Sequence, residues 1–505
     1  MKKNLRVLRS RGLAGICVAF LISMPHILNG QSNSLAFDAR AYGWPGSSPG
    51  RLFLSDLDND AKDEIVVASP RQKKIYIWEG IPANDGQSWI MKDSILLDSR
   101  ILSFCIGDIN GDSKEDIITL SNKKGHNSVV GIFLNRSAPG SIKFEKKHGV
   151  ETNGSAYHVA AEDLDGDKKT DLVVADFEKR SLTFLCNSTD RGVVSFLKST
   201  RDLGTRPNYL VVEDINADKK PDLIVSGYDD NALFVLQNST SSPGRISFTQ
   251  VDKLNTGKGP ISCVVDDLDG NKMPDIAVAN LFDNSVSVYL NASSLNGQAQ
   301  FADAKAAISV RRPSSLTSGD LDNDGMPEIA VSSEKDNNIV ILKNYSSLHN
   351  ISLEKINETA VGSAPQYVYI KNTGKSKQPH LIVSNSYSDN FLVLKNLQQK
   401  ESLSSVDAVV SANSISKQDD LKTGKIYLYP NPASSSVQIS FNSSLKWSGH
   451  ILVRIINALG QEMICERHSI TNLITMDISK LAAGFYWVRL SSQGYDVKTL
   501  GLVVQ

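Results

Sequence analysis

Residues 320–331, Asp320-Leu-Asp322-Asn-Asp324-Gly-Met-Pro-Glu328-Ile-Ala-Val331, put side-chain oxygens at loop positions 1, 3, 5 and 9. A chain wraps oxygen ligands around a hard cation such as Ca2+ in this way. One acidic turn alone would carry little weight, because turns use Asp and Asn for their own hydrogen bonds. This loop recurs, however, with starts at Asp56, Asp108, Asp163, Asp214, Asp267 and Asp320, one every 51 to 55 residues. In the first, third and sixth copies all four positions are carboxylates: Asp56, Asp58, Asp60, Glu64; Asp163, Asp165, Asp167, Asp171; Asp320, Asp322, Asp324, Glu328. The second, fourth and fifth substitute one Asn each: Asp108, Asn110, Asp112, Asp116; Asp214, Asn216, Asp218, Asp222; Asp267, Asp269, Asn271, Asp275. Carboxylates gathered this closely repel one another unless a cation sits among them. Up to six structural Ca2+ sites are therefore expected, with the position-7 carbonyl and water completing each shell. An EF-hand is excluded because position 12 is apolar (Val67, Val331) where that loop needs Glu. A cage of mostly protein oxygens suits Ca2+ better than Mg2+.

The elements that must hold these loops follow from the same period. A seventh frame, Asn372-Thr-Gly-Lys-Ser-Lys-Gln-Pro379-His380, keeps the apolar run but has lost its acids, so no metal is expected there. Each repeat shows four short β-like pieces. The run just after the loop, such as Leu172-Val-Val-Ala175, is rich in β-branched residues and reads as a buried strand. Four strands per unit of this length is the pattern of propeller blades. The expected fold is all-β: a seven-bladed β-propeller over residues 33–398, then a small β-sandwich. Large residues of the fourth strand (Phe37, Trp89, Phe144, Phe196, Phe248, Phe301 and Leu353) precede the seven loops, and none follows the last. Residues 34–41 should therefore complete the seventh blade by pairing near 391–395, leaving no open sheet in the ring.

Residues 399–424 are polar and without period, a linker. From 425 to 505 alternation returns, as in Val437, Ile439 and Phe441, and suits the small sandwich. At the other end, Lys2, Lys3, Arg6, Arg9 and Arg11 precede an apolar stretch from Leu13 to Met24, so residues 1–30 read as a secretory signal peptide. The mature chain is expected outside the inner membrane, with no transmembrane segment. Its cysteines, Cys105, Cys186, Cys263 and Cys465, have no disulfide or metal spacing and are expected to be buried free thiols. A net charge of -1 without basic runs past the N-terminus argues against a nucleic-acid partner.

The acidic loops, with the strand and period that follow them, resemble the calcium-binding hairpins of the FG-GAP/VCBS repeat family, which includes the integrin α-subunit propeller. The resemblance implies loops that join the first two strands of a blade and act structurally, with ligands met on other loops. It departs at position 6, usually Gly in the family but here Ala61, Ser113, Lys168, Lys219, Lys272 and only once Gly325. The C-terminal region is similar to the type A sorting domain of the type IX secretion system. Tyr429-Pro-Asn-Pro-Ala433, Asn457-Ala-Leu-Gly460 and Ile478-Ser-Lys-Leu-Ala482-Ala-Gly484-Phe-Tyr486-Trp-Val-Arg489 carry that likeness. It implies an immunoglobulin-like sandwich that engages the type IX machinery through residues 425–505.

No catalytic constellation stands out: H-E-x-x-H, G-x-S-x-G and a Walker-type loop are all missing. The preferred expectation is a non-enzymatic binding or adhesion protein, secreted or on the outer cell surface, with a glycan or protein ligand. The alternative is an extracellular polysaccharide lyase or hydrolase on the same scaffold. A central pocket with clustered Lys, Arg, His or Tyr would favour the enzyme, and a bare channel the binder.

Overall fold

A computed structural model describes most of residues 35–396 and 426–504. Left out within them are 36, 44–47, 84–85, 123–126, 148, 153, 305, 373–378, 430–434, 442–449, 458–461, 470–472, 483 and 493–494. The expected signal peptide, the linker, most of the seventh loop and parts of all three sorting motifs lie outside the described residues. The described residues are all-β, with no helix long and apolar enough to cross a membrane.

Seven antiparallel sheets follow one another between Phe37 and Asn396. The third is representative: His158–Glu162, Asp171–Asp176, Ser181–Asn187 and Phe196–Asp202, hydrogen-bonded in chain order. Its second strand is buried along its whole length, as its β-branched run requires, whereas the fourth strand is a largely exposed edge. Six of the sheets have four strands, and the second has a fifth short one.

The position-9 acid of every acidic loop is the first residue of a buried second strand, as Asp171 is here. Each loop therefore hangs from a strand buried along nearly its whole length. The acidic loops join first strand to second, so the second-to-third turns lie at the opposite end of every sheet.

From the second sheet to the seventh the first strands touch in succession, that of the seventh, Pro365–Asn372, returns to that of the first, Leu52–Ser55, and the first sheet meets the second through strand Glu64–Ser69. Seven apolar clusters fill the seams, each shared by two neighbouring sheets. One of them joins Ile382, Phe391 and Val393 of the seventh sheet to Leu52, Ile65 and Val67 of the first. Each fully buried aliphatic side chain in such a seam contributes about 1.5–3 kcal/mol. Strand Phe37–Gly43 forms the outer edge of the seventh sheet, with Phe37 opposite Asn396 and Gly43 opposite Asn390. The N-terminal strand thus lies where the offset of the fourth-strand residues placed it.

The C-terminal residues form two further sheets, one of Ile426–Tyr429, Ser436–Phe441 and Leu473–Asp477, the other of His450–Asn457, Glu462–Ser469, Gly484–Ser492 and Tyr495–Val504. They share one core: Val437, Ile439 and Met476 from the first meet Val453, Val488 and Leu502 from the second. Cys105, Cys186 and Cys263 are buried free thiols. Cys465 corrects the expectation, because its side chain is exposed on edge strand Glu462–Ser469, where the pleat turns it outward.

Candidate metal centres and the opposite face

Each acidic loop turns on two left-handed residues, at positions 4 and 6. In the first loop these are Asn59 (φ 58°) and Ala61 (φ 65°); in the fourth, Ala217 (61°) and Lys219 (68°). Position 6 is left-handed in all six loops, which explains the Gly of related loops, and five here adopt it without Gly. The bend aims the position-6 N–H at the position-1 carboxylate: Ala61 on Asp56, Ser113 on Asp108, Lys168 on Asp163, Lys219 on Asp214, Lys272 on Asp267 and Gly325 on Asp320, at 2.7–3.0 Å. One oxygen of the position-9 acid accepts the position-2 N–H, as from Leu164 to Asp171 at 3.0 Å and from Leu321 to Glu328 at 2.7 Å. The backbone thereby orients the first and last acids, and the position-7 N–H likewise donates to the position-5 side chain in all six loops.

The loops then diverge. In the first, Asp56, Asp58 and Glu64 bring oxygens within 4.8 Å of one another, and so do Asp163, Asp165 and Asp167 in the third and Asp267, Asp269 and Asp275 in the fifth. Asp58 Oδ1 is buried without a hydrogen-bond partner among the described residues. An orphaned buried carboxylate oxygen beside two more acids is what a missing cation leaves behind, so these donor sets fit Ca2+. In the second and fourth loops the position-3 Asn turns its amide onto the position-5 Asp, Asn110 to Asp112 at 3.1 Å and Asn216 to Asp218 at 3.2 Å.

In the sixth loop, Asp320, Asp322 and Glu328 converge as well, but a lysine enters the cluster. Lys343 Nζ lies 2.6 Å from Asp322 and 2.9 Å from Glu328 and also contacts Asp324, with its side chain buried. Burial pulls this lysine down, but the bonds to Asp322, Asp324 and Glu328 outweigh it and hold the ammonium well above the ordinary range. Of the seventh loop only the ends are described.

Burial dominates the position-9 acids. It raises Glu64 to about 8, Asp116 to about 6, and Asp171, Asp222 and Asp275 to about 7, with the neighbouring loop acids adding to the rise and backbone N–H donors opposing it. Glu328 is raised by burial too, against the pull of Lys343.

A second set of residues ties each loop to its neighbour. The Asn that ends the third strand donates Nδ2 to the position-2 carbonyl of the preceding sheet's loop: Asn135 to Leu57, Asn187 to Ile109, Asn238 to Leu164, Asn291 to Ile215, Asn344 to Leu268 and Asn396 to Leu321, at 2.5–2.9 Å. The recurring Asn at these strand ends is visible in the sequence, but its reach into the preceding repeat is not. The third-to-fourth-strand turn of the following sheet adds an N–H to the position-3 carboxylate, Gly140 to Asp58, Gly244 to Asp165 and His349 to Asp269, at 2.6–2.7 Å.

At the opposite end of the sheets, rings from consecutive repeats line up. Tyr157 and Phe177 lie 4.5 Å apart between centroids, Phe177 and Tyr228 5.7 Å, and Tyr228 and Phe282 6.3 Å. Tyr157 is 45% and Phe282 51% exposed. Gly259 has φ 69°, and a Cβ there would stand 2.5 Å from the Phe282 ring, so this glycine lets the ring lie flat on the backbone. Arg206 covers Phe177 and pairs with Asp229, as does Arg180. Among the first strands, Arg51 donates to Ser103 (3.0 Å) and contacts His158, whose ring lies 4.3 Å from that of Tyr209. His158 is 3% exposed, and burial, with Arg51 adding to it, holds it well below the ordinary histidine value.

Family models match the chain in two regions. FG-GAP-like repeats match residues 56–119, 108–174, 214–278 and 267–331, and the secretion system C-terminal sorting domain matches residues 427–505. Comparison with curated proteins found no match. Among solved structures, the chain is similar to BBS1N in complex with ARL6DN, soaked with lead, at 14% identity over 73% of this chain and 98% of that one, TM-score 0.46. It is also similar to Sqt1 from Chaetomium thermophilum, at 11% identity over 66% of this chain and 80% of that one, TM-score 0.42. Likenesses this distant say nothing of function. The chain carries FG-GAP-like repeats followed by a type IX secretion sorting tail.

Proposed function

We propose that this is a calcium-stabilised, seven-bladed β-propeller, exported through the type IX system to the cell surface or beyond, which binds a glycan or protein ligand without acting on it. The seven sheets are its blades, and strand Phe37–Gly43 closes the ring. The two C-terminal sheets with their common core support an immunoglobulin-like sandwich as the sorting domain. Asp56, Asp58, Asp60 and Glu64, with their counterparts in the third and fifth loops, would hold Ca2+. The ion would supply charge neutralisation and rigidity there. The second and fourth loops would hold it through one amide and three carboxylates.

The observation that carries the binding reading is the row Tyr157, Phe177, Tyr228, Phe282 at the end away from the metal loops. Rings in a line, exposed at Tyr157 and Phe282 and half-buried at Phe177 and Tyr228, with arginines beside them, offer stacking surfaces to sugar rings or apolar side chains. Arg51, His158 and Tyr209 pack on one another, with the imidazole sealed in. These are residue types the enzyme alternative asks for, but a sealed imidazole supports a packing role rather than an open catalytic pocket. A glycan array and a polysaccharide-degradation screen with the secreted protein test the proposal. Binding without degradation is expected, with Tyr228→Ala and Phe282→Ala each weakening it about tenfold or more and leaving calcium-dependent melting unchanged. Degradation of any polysaccharide, or binding indifferent to both substitutions, would overturn it.

A further inference from the structure

We propose that the sixth loop takes no calcium: the ammonium of Lys343 is its built-in cation and holds Asp322, Asp324 and Glu328 with or without metal, while backbone N–H groups hold Asp320. The lysine lies where a metal would have to be, bonded to three carboxylates from positions 3, 5 and 9. Its counterparts just before the third-strand Asn are Leu134, Cys186, Gln237 and Leu290 in the second to fifth sheets, none of them a cation. Lys395 occupies that place in the seventh sheet, whose loop has lost its acids. Lysine is thus combined with a full set of carboxylates in the sixth sheet alone.

The topology gives a reason. The first, third and fifth loops lean their position-3 Asp on a backbone N–H from the hairpin turn of the next sheet. The sixth loop faces the seventh sheet, whose third and fourth strands come from opposite ends of the chain, so no hairpin turn joins them. Asp322 therefore has no such turn to donate to it, and Lys343 from its own sheet takes that role. Two cations cannot share this cluster. Ca2+ would have to displace an ammonium that is already desolvated and triply hydrogen-bonded.

The inference rests on reading the other loops as calcium sites only for its background count, since the decisive quantity is a difference. Calcium per chain is measured by elemental analysis after gel filtration of the full secreted protein in Ca2+. Lys343→Met should bind one Ca2+ more than the wild type and should acquire a larger rise in melting temperature when Ca2+ replaces chelator. Equal counts in wild type and Lys343→Met would overturn the proposal. Should that variant fail to fold, Asp320→Asn/Asp324→Asn, which keeps the lysine, should bind as much calcium as the wild type, and loss of one Ca2+ would overturn the proposal. Asp163→Asn/Asp167→Asn tests the general reading separately. It should lose one Ca2+, and if it loses none the third loop fails as a calcium site while the Lys343 comparison still decides the sixth.

Discussion

At the residue scale, the buried acid that opens each second strand sets a pH dependence with a definite sign. Burial raises Glu64 to about 8 and Asp171, Asp222 and Asp275 to about 7 when no cation is present. Between the ordinary carboxylate range and these values the folded chain binds more protons than the unfolded one. Metal-free stability is therefore present at low pH and falls as pH rises through the raised values. In chelator, the melting temperature should drop between about pH 5 and about pH 8, a window set by these shifts. In excess Ca2+ the drop should vanish, because the cation replaces the protons. A chelator melting temperature that rises over that window would contradict the buried-acid picture. The acids and their spacing were fully legible in the sequence. Lys343 was not, because an isolated lysine normally belongs on the surface, and what draws it inward is a turn lacking in the neighbouring sheet. Cys465 was misjudged for a similar reason: which side of an edge strand faces outward depends on its partner sheet.

At the scale of the element, the loop is a left-handed bend fastened at both ends, and position 6 is its strained point. Lys168, Lys219 and Lys272 hold φ values of 68–69°, a conformation that costs a residue with a Cβ about 1–2 kcal/mol. Lys219→Gly should relieve most of this, offset in part by the greater freedom of glycine in the unfolded chain. A net gain of about 0.5–1 kcal/mol is expected in urea titrations. Gly325→Lys in the sixth loop should show the opposite sign. The four-strand unit was readable because one loop, one buried run and one period repeat together. The row Tyr157, Phe177, Tyr228, Phe282 was missed although Phe177, Tyr228 and Phe282 fall 14 or 15 residues after their loop starts, because only three of the six acidic-loop repeats carry a ring there and the place is a turn after the second strand. The Asn clasps fell between these cases: their positions repeat visibly, but their partners lie one repeat upstream.

At the scale of the whole molecule, the ring depends on a strand from the far end of the chain. Deleting Phe37–Gly43 would bare strand Asn390–Asn396 along its length, and an unpaired edge recruits other chains. Such a truncant should form oligomers or aggregates in light scattering, whereas the wild type should not. A truncant as monodisperse as the wild type would remove the strand from its assigned role. That strand was legible from a counting argument alone, seven fourth strands for seven loops with the first one early. Each seam between sheets holds an apolar cluster, and among the described residues every seam except the one between the seventh and first sheets also carries an Asn clasp. Where an Asn would join those two, the first sheet has Gly80.

The pairing of Phe37–Gly43 with Asn390–Asn396 inside the seventh sheet also governs how the protein bears tension. Phe37 sits beside Asn396, so the two strands leave the sheet side by side and in the same direction. Load applied between the N-terminal side and the C-terminal tail therefore opens the pairing one rung at a time, as a zip opens, instead of shearing all rungs together. If the tail tethers the protein to a cell and the ring is pulled from its N-terminal side, the ring should part at this strand pairing at low force, before any of the sheets built from continuous chain.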